Sequence, residues 1–402
     1  MRLLAATKVT VSYDPRMTYR PAVALVRGHG LSPYEMQLFA PLMGEFDLLA
    51  IGSHHPLHDV DTLPMPTILL RSLGESRALR GIHRRLSRKV KLPGHMDRSL
   101  GLRKAVSGRV LLHAAETFIP ESEQAAEIAI ERGVKLILTC WETIPFRFDE
   151  DFVFCRRKLV VKAATALFIA VTDKAKEALI TEGVAPERVK VVPTAVDCQC
   201  FRPMASSPRV RSSCGVPSDA RIVLYVGRLI QEKGLVELVR AFAEGAEDTA
   251  HLVIVGSGNQ AARVGIAATA FGIASRVHVR PKVAYRELPE LYATADIVVA
   301  PSLTTPYWEE QFGMVLVEAM ACGRPVLTTA SGAIPEVVGD SADLVEPYNI
   351  AALAEGIRHL LGDASRRDRL AKAGRSRAKT LYDVPIVARQ VGEVYRQVLA
   401  LQ

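Results

Sequence analysis

The chain alternates short runs of apolar, β-branched residues with stretches in which apolar residues recur every three or four positions. The first pattern is typical of buried parallel strands, and the second is typical of the helices that cover them. The alternation occurs in two series along the chain. It predicts strands at residues 22–26, 46–51, 109–112, 135–138, 167–171 and 189–192, and then at 221–227, 251–256, 276–279, 296–300 and 325–329.

The segment between the two series, residues 197–220, is rich in Pro and Ser and lacks a hydrophobic period, which indicates a linker. The sequence therefore predicts an α/β protein with two doubly wound, Rossmann-like domains facing each other across a cleft. We expect the first domain over residues 1–196, the second over 221–382 and a closing helix over 383–402. Ligands of such sheets bind at the carboxyl ends of the strands.

Composition narrows the class of protein. The 402 residues are 49% hydrophobic and 23% charged, which is typical of a soluble globular chain. No apolar stretch approaches the roughly 18 residues of a membrane span, and the N-terminal stretch reaches charge and proline too early for a secretory signal. Six cysteines without a CxxC pair favour reduced thiols over disulfides or zinc. We expect a cytoplasmic protein.

Positive charge is concentrated in residues 71–109, which hold twelve Lys or Arg against two acids, whereas the whole chain has a net charge of +8. Within this segment, the period of residues 77–90 predicts an amphipathic helix with a basic face. Such a helix suits an anionic membrane surface. The alternative is a core-packed helix with a solvated outer face. Nucleic acid is not expected as a partner because no known binding motif accompanies the charge.

The first candidate site follows the first strand of the second series, in "LYVGRLIQEKG". A glycine turn at Gly227, then Arg228 and Lys233, precede a predicted helix. Two cations near the positive end of a helix suit a doubly charged anion such as a diphosphate. The alternative is that both are ordinary solvated loop cations.

The second candidate site is the stretch "EEQFGMVLVEAMACGRPV". Gly313 would let the backbone approach a ligand closely, and the free N–H groups of Met314 and Val315 would form an anion-binding helix start. Ionised Glu310 and Glu318 could each accept hydrogen bonds from two hydroxyl groups. A phosphate between cations, flanked by hydroxyl-binding acids, indicates a nucleotide sugar. The alternatives are a buried ion pair or solvent exposure for Glu318 and a loop acid for Glu310.

Four stretches resemble the nucleotide-sugar glycosyltransferases of family 4, the group 1 glycosyltransferases: "GRLIQEKG", "LPELYATADIVVAPS", "WEEQFGMVLVEAMACGRPVLTTASGAIPEVVGD" and "VYRQVL". The resemblance is dense from 221 to 400 and implies the two-domain GT-B fold. It also implies that Glu318 holds the ribose, Glu310 contacts the transferred sugar, and Arg228 and Lys233 bind the diphosphate. The implied donor-binding set comprises Glu318, Gly227, Phe312, Gly313, Met314 and Val315, with Arg228, Lys233 and Glu310 as catalytic residues.

The N-terminal half resembles the family more loosely, through "VALVRGHGLSPYEMQLFAPL", "WETIPF" and "VVPTAVDCQCFRP". In the family, an H-x-H pattern follows an inner strand, and its second histidine contacts the donor sugar. Here that position is Ala115, so His113 is either a contact or a core residue. The acceptor-side candidates are Gly28, Gly30, His113, Glu116, Trp141 and Glu142.

Three further motifs are weaker. Gly256-x-Gly258-x-x-Ala261 fits a dinucleotide fingerprint, but the next strand ends in Arg280 rather than in an acid, so we expect no nicotinamide cofactor. The DxD patterns at 59–61 and 149–151 match metal-binding motifs of other glycosyltransferases. We expect no required metal, because Arg228 and Lys233 supply the countercharge. The histidines at 54, 55 and 58 lack the helical context of a zinc site.

The resemblance implies transfer of a sugar from a nucleotide-diphosphate sugar to a hydroxyl of a glycan or lipid-linked acceptor, with retention at the anomeric carbon. No protein nucleophile is required, since the family's usual proposal is a front-face mechanism. Three alternatives stay open at this point: a sugar-nucleotide epimerase, a phosphorylase, and a non-catalytic nucleotide-sugar-binding protein.

Overall fold

The computed structural model describes residues 19–58, 60–72 and 98–401. These residues form two parallel β-sheets covered by helices. Most of the basic stretch, including residues 77–90, lies outside the described residues, as does Asp59. The amphipathic helix expected there therefore stays a prediction.

The first sheet has seven parallel strands among the described residues. They are β1 (Ala22–Gly28), β2 (Asp47–Ser53), β3 (Thr67–Leu70), β4 (Leu111–Ala115), β5 (Lys135–Cys140), β6 (Leu167–Ala170) and β7 (Val189–Val191). Their order is β3-β2-β1-β4-β5-β6-β7. The direction of winding reverses between β1 and β4, and crevices at such reversals bind ligands.

The second sheet has six parallel strands in the described part of the chain. They are β8 (Ile222–Val226), β9 (His251–Val255), β10 (Val277–Arg280), β11 (Ile297–Ala300), β12 (Val326–Thr329) and β13 (Asp343–Val345). The order β10-β9-β8-β11-β12-β13 places the reversal between β8 and β11. The two sheets therefore repeat one plan, as the sequence predicts.

Helices cover both faces of each sheet. The α-helices of the described residues are α1 (Pro33–Met36), α2 (Leu102–Ala105), α3 (Pro120–Arg132), α4 (Phe152–Ala164), α5 (Asp173–Thr181), α6 (Pro208–Ser213), α7 (Leu235–Gly245), α8 (Ala261–Ala270), α9 (Leu288–Thr294), α10 (Met314–Ala321), α11 (Ile334–Val338), α12 (Ile350–Gly362), α13 (Ala364–Arg377) and α14 (Val384–Leu399). Short 3₁₀ segments are Gln37–Gly44, Pro186–Arg188, Gln231–Lys233, Ala274–Arg276, Tyr285–Glu287 and Gly339–Ser341, and a π turn spans Ala378–Tyr382.

The eleven strands predicted from the sequence are all present, and the α/β fold with two Rossmann-like units is confirmed. Two edge strands, β3 and β13, were not predicted. In β3 the side chains of Ile68 and Leu69 are 37% and 38% exposed, and β13 is only three residues long. Short strands with exposed residues lack the continuous apolar run that marks an inner parallel strand.

Helix α7 illustrates how the hydrophobic pattern places the elements. Leu235, Leu238, Val239 and Phe242, which repeat at helical spacing, are all buried. They pack in one cluster with alternate residues of the second sheet. Because this face is fixed against the sheet, the start of α7 and the preceding Lys233 are held at the carboxyl end of β8.

The segment 197–220 contains the short helix α6 and packs against the second sheet. Phe201 and Cys214 are buried in the same cluster as residues of β8 and α10. The guanidinium of Arg375 donates to the carbonyls of Phe201 at 2.7 Å and Cys198 at 2.9 Å. The segment is therefore anchored to the second sheet rather than extended between the two.

The closing helix α14 packs on the first sheet. Val387, Val391 and Tyr395 are buried in the cluster that also holds Phe46 and Leu42. The chain passes between the two sheets near Val196 and again near Asp383. The two crossings are adjacent, because the N–H of Val196 donates to the carbonyl of Tyr382 at 2.8 Å and the N–H of Val384 donates to the carbonyl of Val196 at 3.2 Å.

Candidate active site

The loops at the carboxyl ends of the two sheets touch across a cleft. The amide of Gln311 donates to Glu142 at 3.3 Å, and the ammonium of Lys174 pairs with Glu309 at 2.9 Å. A third contact joins the amide of Gln37 to the hydroxyl of Tyr285 at 3.1 Å. Both winding reversals thus open towards the same cleft.

The turn after β8 is built on Gly227 and Arg228. Gly227 has a φ of 152°, and a Cβ there would lie 2.9 Å from the hydroxyl of Tyr225. That hydroxyl donates to the carbonyl of Arg228 at 2.8 Å, which fixes the turn. The Arg228 side chain is exposed. Its charge acts to lower the pKa of Glu310 and that of Tyr34, which belongs to the unit of the first sheet.

Glu310 lies in a polar network that joins two loops. Its carboxylate forms an ion pair with Lys233 and accepts a hydrogen bond from the hydroxyl of Ser302 at 2.6 Å. The Lys233 ammonium also lies 5.1 Å from the centre of the Trp308 ring. Burial alone would raise the pKa of Glu310, but Lys233 and Ser302 outweigh it and lower the pKa. Glu310 is therefore ionised and oriented.

The backbone of Glu310 is held as firmly as its side chain. Its carbonyl accepts from the N–H of Ala333 at 2.9 Å. Gly332 has a φ of 57°, and a Cβ there would lie 2.9 Å from the Glu310 nitrogen. The glycine of "SGAIPEV" thus allows two loops to pack backbone against backbone behind the acid.

Helix α10 begins at the predicted place. Its N-cap, Gly313, has a φ of 84°, and a side chain there would meet Leu316 at 2.8 Å. Phe312 is buried with its ring edge-on to Tyr382 at 5.6 Å between centroids. Met314 and Val315 supply the first N–H groups of the helix, which have no carbonyl partner within it.

Glu318, inside α10, is neither exposed nor ion-paired with a described residue. The residue is 3% exposed, and its carboxylate accepts a hydrogen bond from the hydroxyl of Tyr292 at 2.9 Å. Burial raises the pKa of Glu318 to about 7, although Tyr292 and the nearby Tyr285 act to lower it. The two alternatives for Glu318, a buried ion pair and solvent exposure, are therefore both wrong among the described residues.

On the facing side, Glu116 ends β4 in a strained conformation. Its φ is 58°, which is uncommon for a residue other than glycine. The carboxylate accepts from the N–H groups of Trp141 at 2.8 Å and Glu142 at 3.2 Å. Burial raises the pKa of Glu116 to about 8, and the nearby charge of Glu142 adds to the effect.

Glu142 is used mainly within its own loop. It accepts from the N–H groups of Thr143 at 3.1 Å and Ile144 at 3.0 Å, and it pairs with Arg147 at 2.6 Å. Together with Glu116 and Arg147 it lines a small pocket. Trp141 packs against the cluster of the second sheet. The two acids therefore lie at the cleft, where hydrogen bonds from backbone N–H groups and from Arg147 hold their carboxylates.

His113 does not face the cleft, which corrects its candidacy as an acceptor contact. The side chain is 0% exposed. Its Nδ1 lies 2.7 Å from the hydroxyl of Tyr395, and its Nε2 lies 2.7 Å from the hydroxyl of Thr139. Burial lowers the pKa of His113 well below its usual value. It is a core residue that ties β4 and β5 to the closing helix.

The two glycines of the first loop differ. Gly28 is buried with a φ of 54°, and a Cβ there would lie 2.6 Å from a carboxylate oxygen of Glu121. Gly30 is exposed, and its N–H donates to the carbonyl of Arg27 at 3.0 Å. Gly28 is thus required by close packing, and Gly30 is the part of the loop open to solvent.

The weaker motifs have structural uses. Asp149 pairs with Lys158 at 2.7 Å, and Asp151 caps α4 by accepting from the N–H of Val153 at 2.8 Å. A Cβ on Gly258 would lie 2.9 Å from the Cα of Leu229, so this glycine serves packing beside the turn after β8. Within residues 19–58, 60–72 and 98–401, no three His, Cys, Asp or Glu side chains form a cluster that could hold a metal.

Five site residues were not identified from the sequence: Gln37, Tyr285, Tyr292, Ser302 and Gln311. Ser302 follows β11 directly, at the winding reversal, which is a signal that could have marked it. Tyr292 lies within the quoted "LPELYATADIVVAPS". Gln37 and Tyr285 meet only through the packing of the two units, so no local pattern marks them.

Comparison with known proteins assigns the fold first. Sucrose-phosphate synthase of Thermosynechococcus elongatus matches with a TM-score of 0.71 and 23% identity, over 95% of this chain and 100% of that one. Alr3699/HepE of Anabaena in complex with UDP matches with a TM-score of 0.74 and 19% identity, over 94% and 100%. The chain has the GT-B fold.

A family model matches within the second half of the chain. Residues 206–377 match the model of the glycosyl transferases group 1. D-inositol 3-phosphate glycosyltransferase of Xylanimonas cellulosilytica is 34% identical over 230 residues, covering 55% of this chain and 54% of that protein. D-inositol 3-phosphate glycosyltransferase 1 of Catenulispora acidiphila is 36% identical over 220 residues, covering 52% and 51%. The chain thus spans about half the length of these relatives.

Among the described residues, no helix is long and apolar enough to cross a membrane.

Proposed function

We propose that this protein is a glycosyltransferase that moves a sugar from a nucleotide-diphosphate sugar to a hydroxyl acceptor, with retention at the anomeric carbon. The observation that carries the proposal is the ion pair of Glu310 with Lys233, at the winding reversal of the second sheet and just before the helix of Glu318. Cations neutralise phosphate, and ionised carboxylates accept hydrogen bonds from hydroxyl groups. This arrangement therefore fits both the diphosphate and the sugar rings of a sugar nucleotide.

The proposal assigns protein residues to each of the three parts of the sugar nucleotide. Arg228 and Lys233 bind the diphosphate, Glu318 the ribose and Glu310 the transferred sugar. Lys233 then shares its charge between Glu310 and the phosphate. As the sugar departs, negative charge grows on the diphosphate, and preorganised cations stabilise that charge most in the transition state. The 34% and 36% identical relatives, which are named as glycosyltransferases, support the proposed class of reaction.

The acceptor enters from the side of the first sheet. Glu116 and Glu142 stand there at the ends of the neighbouring strands β4 and β5. A glycan or a lipid-linked sugar offers the hydroxyls that such carboxylates accept.

The test is product formation with UDP-, GDP- and ADP-sugars, chosen by a thermal-shift screen of the free nucleotides. We expect release of a nucleoside diphosphate only when an acceptor is present, and an α-product from an α-donor. Glu310→Gln should abolish transfer. Arg240→Ala should not, because Arg240 pairs with Glu244 on an exposed face of α7 at 2.8 Å.

The other outcomes identify the alternatives. Turnover of the sugar nucleotide without any acceptor would indicate an epimerase, and a requirement for phosphate would indicate a phosphorylase. Donor binding without transfer to any member of a broad acceptor panel would indicate a binding protein, consistent with Ala115 at the family's second histidine position.

We also propose that transfer needs no divalent metal, because Arg228 and Lys233 supply the countercharge of the diphosphate. Rates measured with excess EDTA and with added Mg²⁺ should agree. A loss of activity in EDTA that Mg²⁺ restores would contradict this part of the proposal.

The basic stretch at 77–90 supports a peripheral site of action at an anionic membrane surface. Each basic residue near anionic lipid contributes about 1 kcal/mol of binding free energy. At low salt, the protein should co-sediment with liposomes that contain acidic lipid and should stay in solution with neutral ones. Equal behaviour with both would exclude the membrane role.

A further inference from the structure

The start of helix α5, in the unit of the first sheet, is capped by an acid from the unit of the second sheet. Glu336, in α11, accepts hydrogen bonds from the backbone N–H groups of Asp173 at 2.8 Å and Lys174 at 3.4 Å. The N-cap of α5 itself, Thr172, accepts from the next N–H group, that of Ala175, at 3.1 Å. The first N–H groups of a helix have no partner within it, and its dipole attracts negative charge at this end. The cap of α5 is therefore completed by contact between the two units.

A second acid of the same unit reaches the same helix start through an ion pair. The ammonium nitrogen of Lys174 lies 2.9 Å from Oε2 of Glu309. The Glu309 side chain is 10% exposed, whereas that of Lys174 is 40% exposed. The other carboxylate oxygen of Glu309, Oε1, is buried and has no hydrogen-bond partner among the described residues. Lys174 therefore balances the charge of Glu309 across the cleft.

Opening of the cleft changes the hydration of the Glu309 carboxylate. When the two units part, Lys174 and Glu309 both return to water, which solvates separate charges well. In the closed cleft, a Glu309 carboxylate without Lys174 would be removed from water with no opposite charge to compensate it, which is unfavourable. Loss of the Lys174 charge therefore shifts the balance between closed and open clefts towards the open one.

The segments that carry these two acids also hold Glu310. Glu309 directly precedes Glu310 in the chain, and the N–H of Ala333, just before α11, donates to the Glu310 carbonyl at 2.9 Å. On the other side of Glu310, Gln311 donates to Glu142 of the first sheet's unit at 3.3 Å. The carboxylate of Glu310, by contrast, takes its partners from its own unit. The contacts between the units therefore set where Glu310 stands relative to the acceptor side, and not how its carboxylate is oriented.

We infer that Lys174, Glu309 and Glu336 form a clasp that closes the cleft and thereby positions the sugar at Glu310 against the acceptor. The inference rests on the proposed function, since it takes Glu310 as the acid of the transferred sugar. The three members of the clasp are positioning residues, because they act through Glu310 rather than on the donor itself. The nucleotide is assigned to the unit of the second sheet alone, so a weakened clasp should lower turnover and leave nucleotide binding unchanged.

Exchange of the two charges provides the test. Lys174→Glu and Glu309→Lys each place like charges opposite one another, and each should lower turnover about 10- to 100-fold at saturating donor and acceptor. The double variant Lys174→Glu/Glu309→Lys restores opposite charges, so its turnover should exceed that of either single variant at least about tenfold. Calorimetry of UDP and GDP should give affinities within about twofold of the wild type in all three variants.

Lys176→Glu is the matched control. It makes the same substitution two positions further along α5, at a residue that is not part of the clasp. Its turnover should stay within about twofold of the wild type. Thermal unfolding of each variant serves as the folding control.

Small-angle X-ray scattering measures closure of the cleft without any need for activity. The Lys174→Glu and Glu309→Lys variants should each have a larger radius of gyration than the wild type, because their units part more often. The double variant should return towards the wild-type radius, and Lys176→Glu should equal the wild type.

The possible failures are distinguishable. If the wild type transfers sugar but the charge exchange restores neither turnover nor radius, the clasp is overturned and the proposed function stands. A nucleotide affinity that falls in step with turnover would place these residues in donor binding and would overturn the clasp as well. If the wild type transfers no sugar, while the single variants open and the double variant closes, the proposed function fails and the clasp between the units stands.

Discussion

The two sheets carry acids of contrasting use at the cleft. At the second sheet, the carboxylate of Glu310 pairs with Lys233, 77 positions earlier in the chain, and accepts a hydrogen bond from Ser302 of its own loop. At the first sheet, Glu116 and Glu142 accept hydrogen bonds from backbone N–H groups of the loop after β5, and Glu142 also pairs with Arg147 of that loop. Charged groups of two distant loops thus meet on the donor side, whereas on the acceptor side the acids hold the backbone of one loop.

This difference determines which partners of the acids a ligand can replace. On the donor side, charged groups are paired with one another and can exchange those partners for a charged ligand. On the acceptor side, backbone N–H groups cannot leave their carboxylates without unfolding the loop. We therefore expect substitutions on the donor side to act on catalysis, and substitutions on the acceptor side to act on loop shape and acceptor affinity.

The largest effect is expected for Lys233→Ala. The change removes a cation from the departing diphosphate and leaves the half-buried Glu310 without its ion pair. Loss of a charge-assisted hydrogen bond corresponds to roughly 10- to 200-fold, and turnover should fall towards the upper end of that range. Arg228→Ala, which removes an exposed cation, should fall towards the lower end. Initial rates at saturating donor measure both.

Equal losses for the two variants would show that the Glu310 ion pair adds nothing to the role of Lys233. A fall in donor affinity with unchanged turnover would place Lys233 in ground-state binding rather than at the developing charge.

A tenfold effect is expected from pH on donor binding. Burial raises the pKa of Glu318 to about 7, so the acid is mostly protonated at about pH 6 and mostly ionised at about pH 8. Only the ionised form accepts two hydroxyls, so affinity should rise about tenfold between these values. Intact sugar nucleotides are the right ligands, because their diphosphates lack a terminal phosphate that titrates in this range.

Glu318→Gln is the control, since an amide does not titrate here. Its binding should be weaker than that of the wild type at high pH and should not change with pH. A slope that persists in Glu318→Gln would assign the titration to another group.

The smallest effect is expected on the acceptor side, from Glu142→Gln. The amide loses the ion pair with Arg147 and weakens the bonds to Thr143 and Ile144, so the loop shifts slightly. The KM for the acceptor should rise about two- to tenfold, while free-nucleotide binding stays unchanged. Steady-state kinetics with the acceptor varied, beside calorimetry of the nucleotide, separate the two. A loss of nucleotide affinity would place Glu142 on the donor side instead.

The donor and acceptor sides also differ in how much of each could be predicted from the sequence. The eleven predicted strands and the start of α10 follow from continuous apolar runs and from Gly313, which are local signals. The donor residues Arg228, Lys233, Glu310 and Glu318 lie in two short stretches of the chain, each next to a strand or helix end. Local spacing marked them as candidates, and the family resemblance supplied their proposed roles.

The acceptor side could not be predicted in the same way. His113 follows the strand predicted at residues 109–112, as a contact residue would, but it lies within β4, and the closing helix, distant in the sequence, contacts it through Tyr395. Gln37 and Tyr285 meet only because the two units close on each other. Contacts between distant segments leave no period or spacing in the sequence, so these roles emerge only from packing.

The division of the donor between its two acids is the central claim, and calorimetry of two variants tests it most directly. Glu318→Gln should weaken free UDP or GDP, because that acid is assigned to the ribose. Glu310→Gln should leave the free nucleotide unchanged and weaken only the intact sugar nucleotide. If Glu310→Gln remains folded and loses free nucleotide as severely as Glu318→Gln, the two acids do not divide the donor between them.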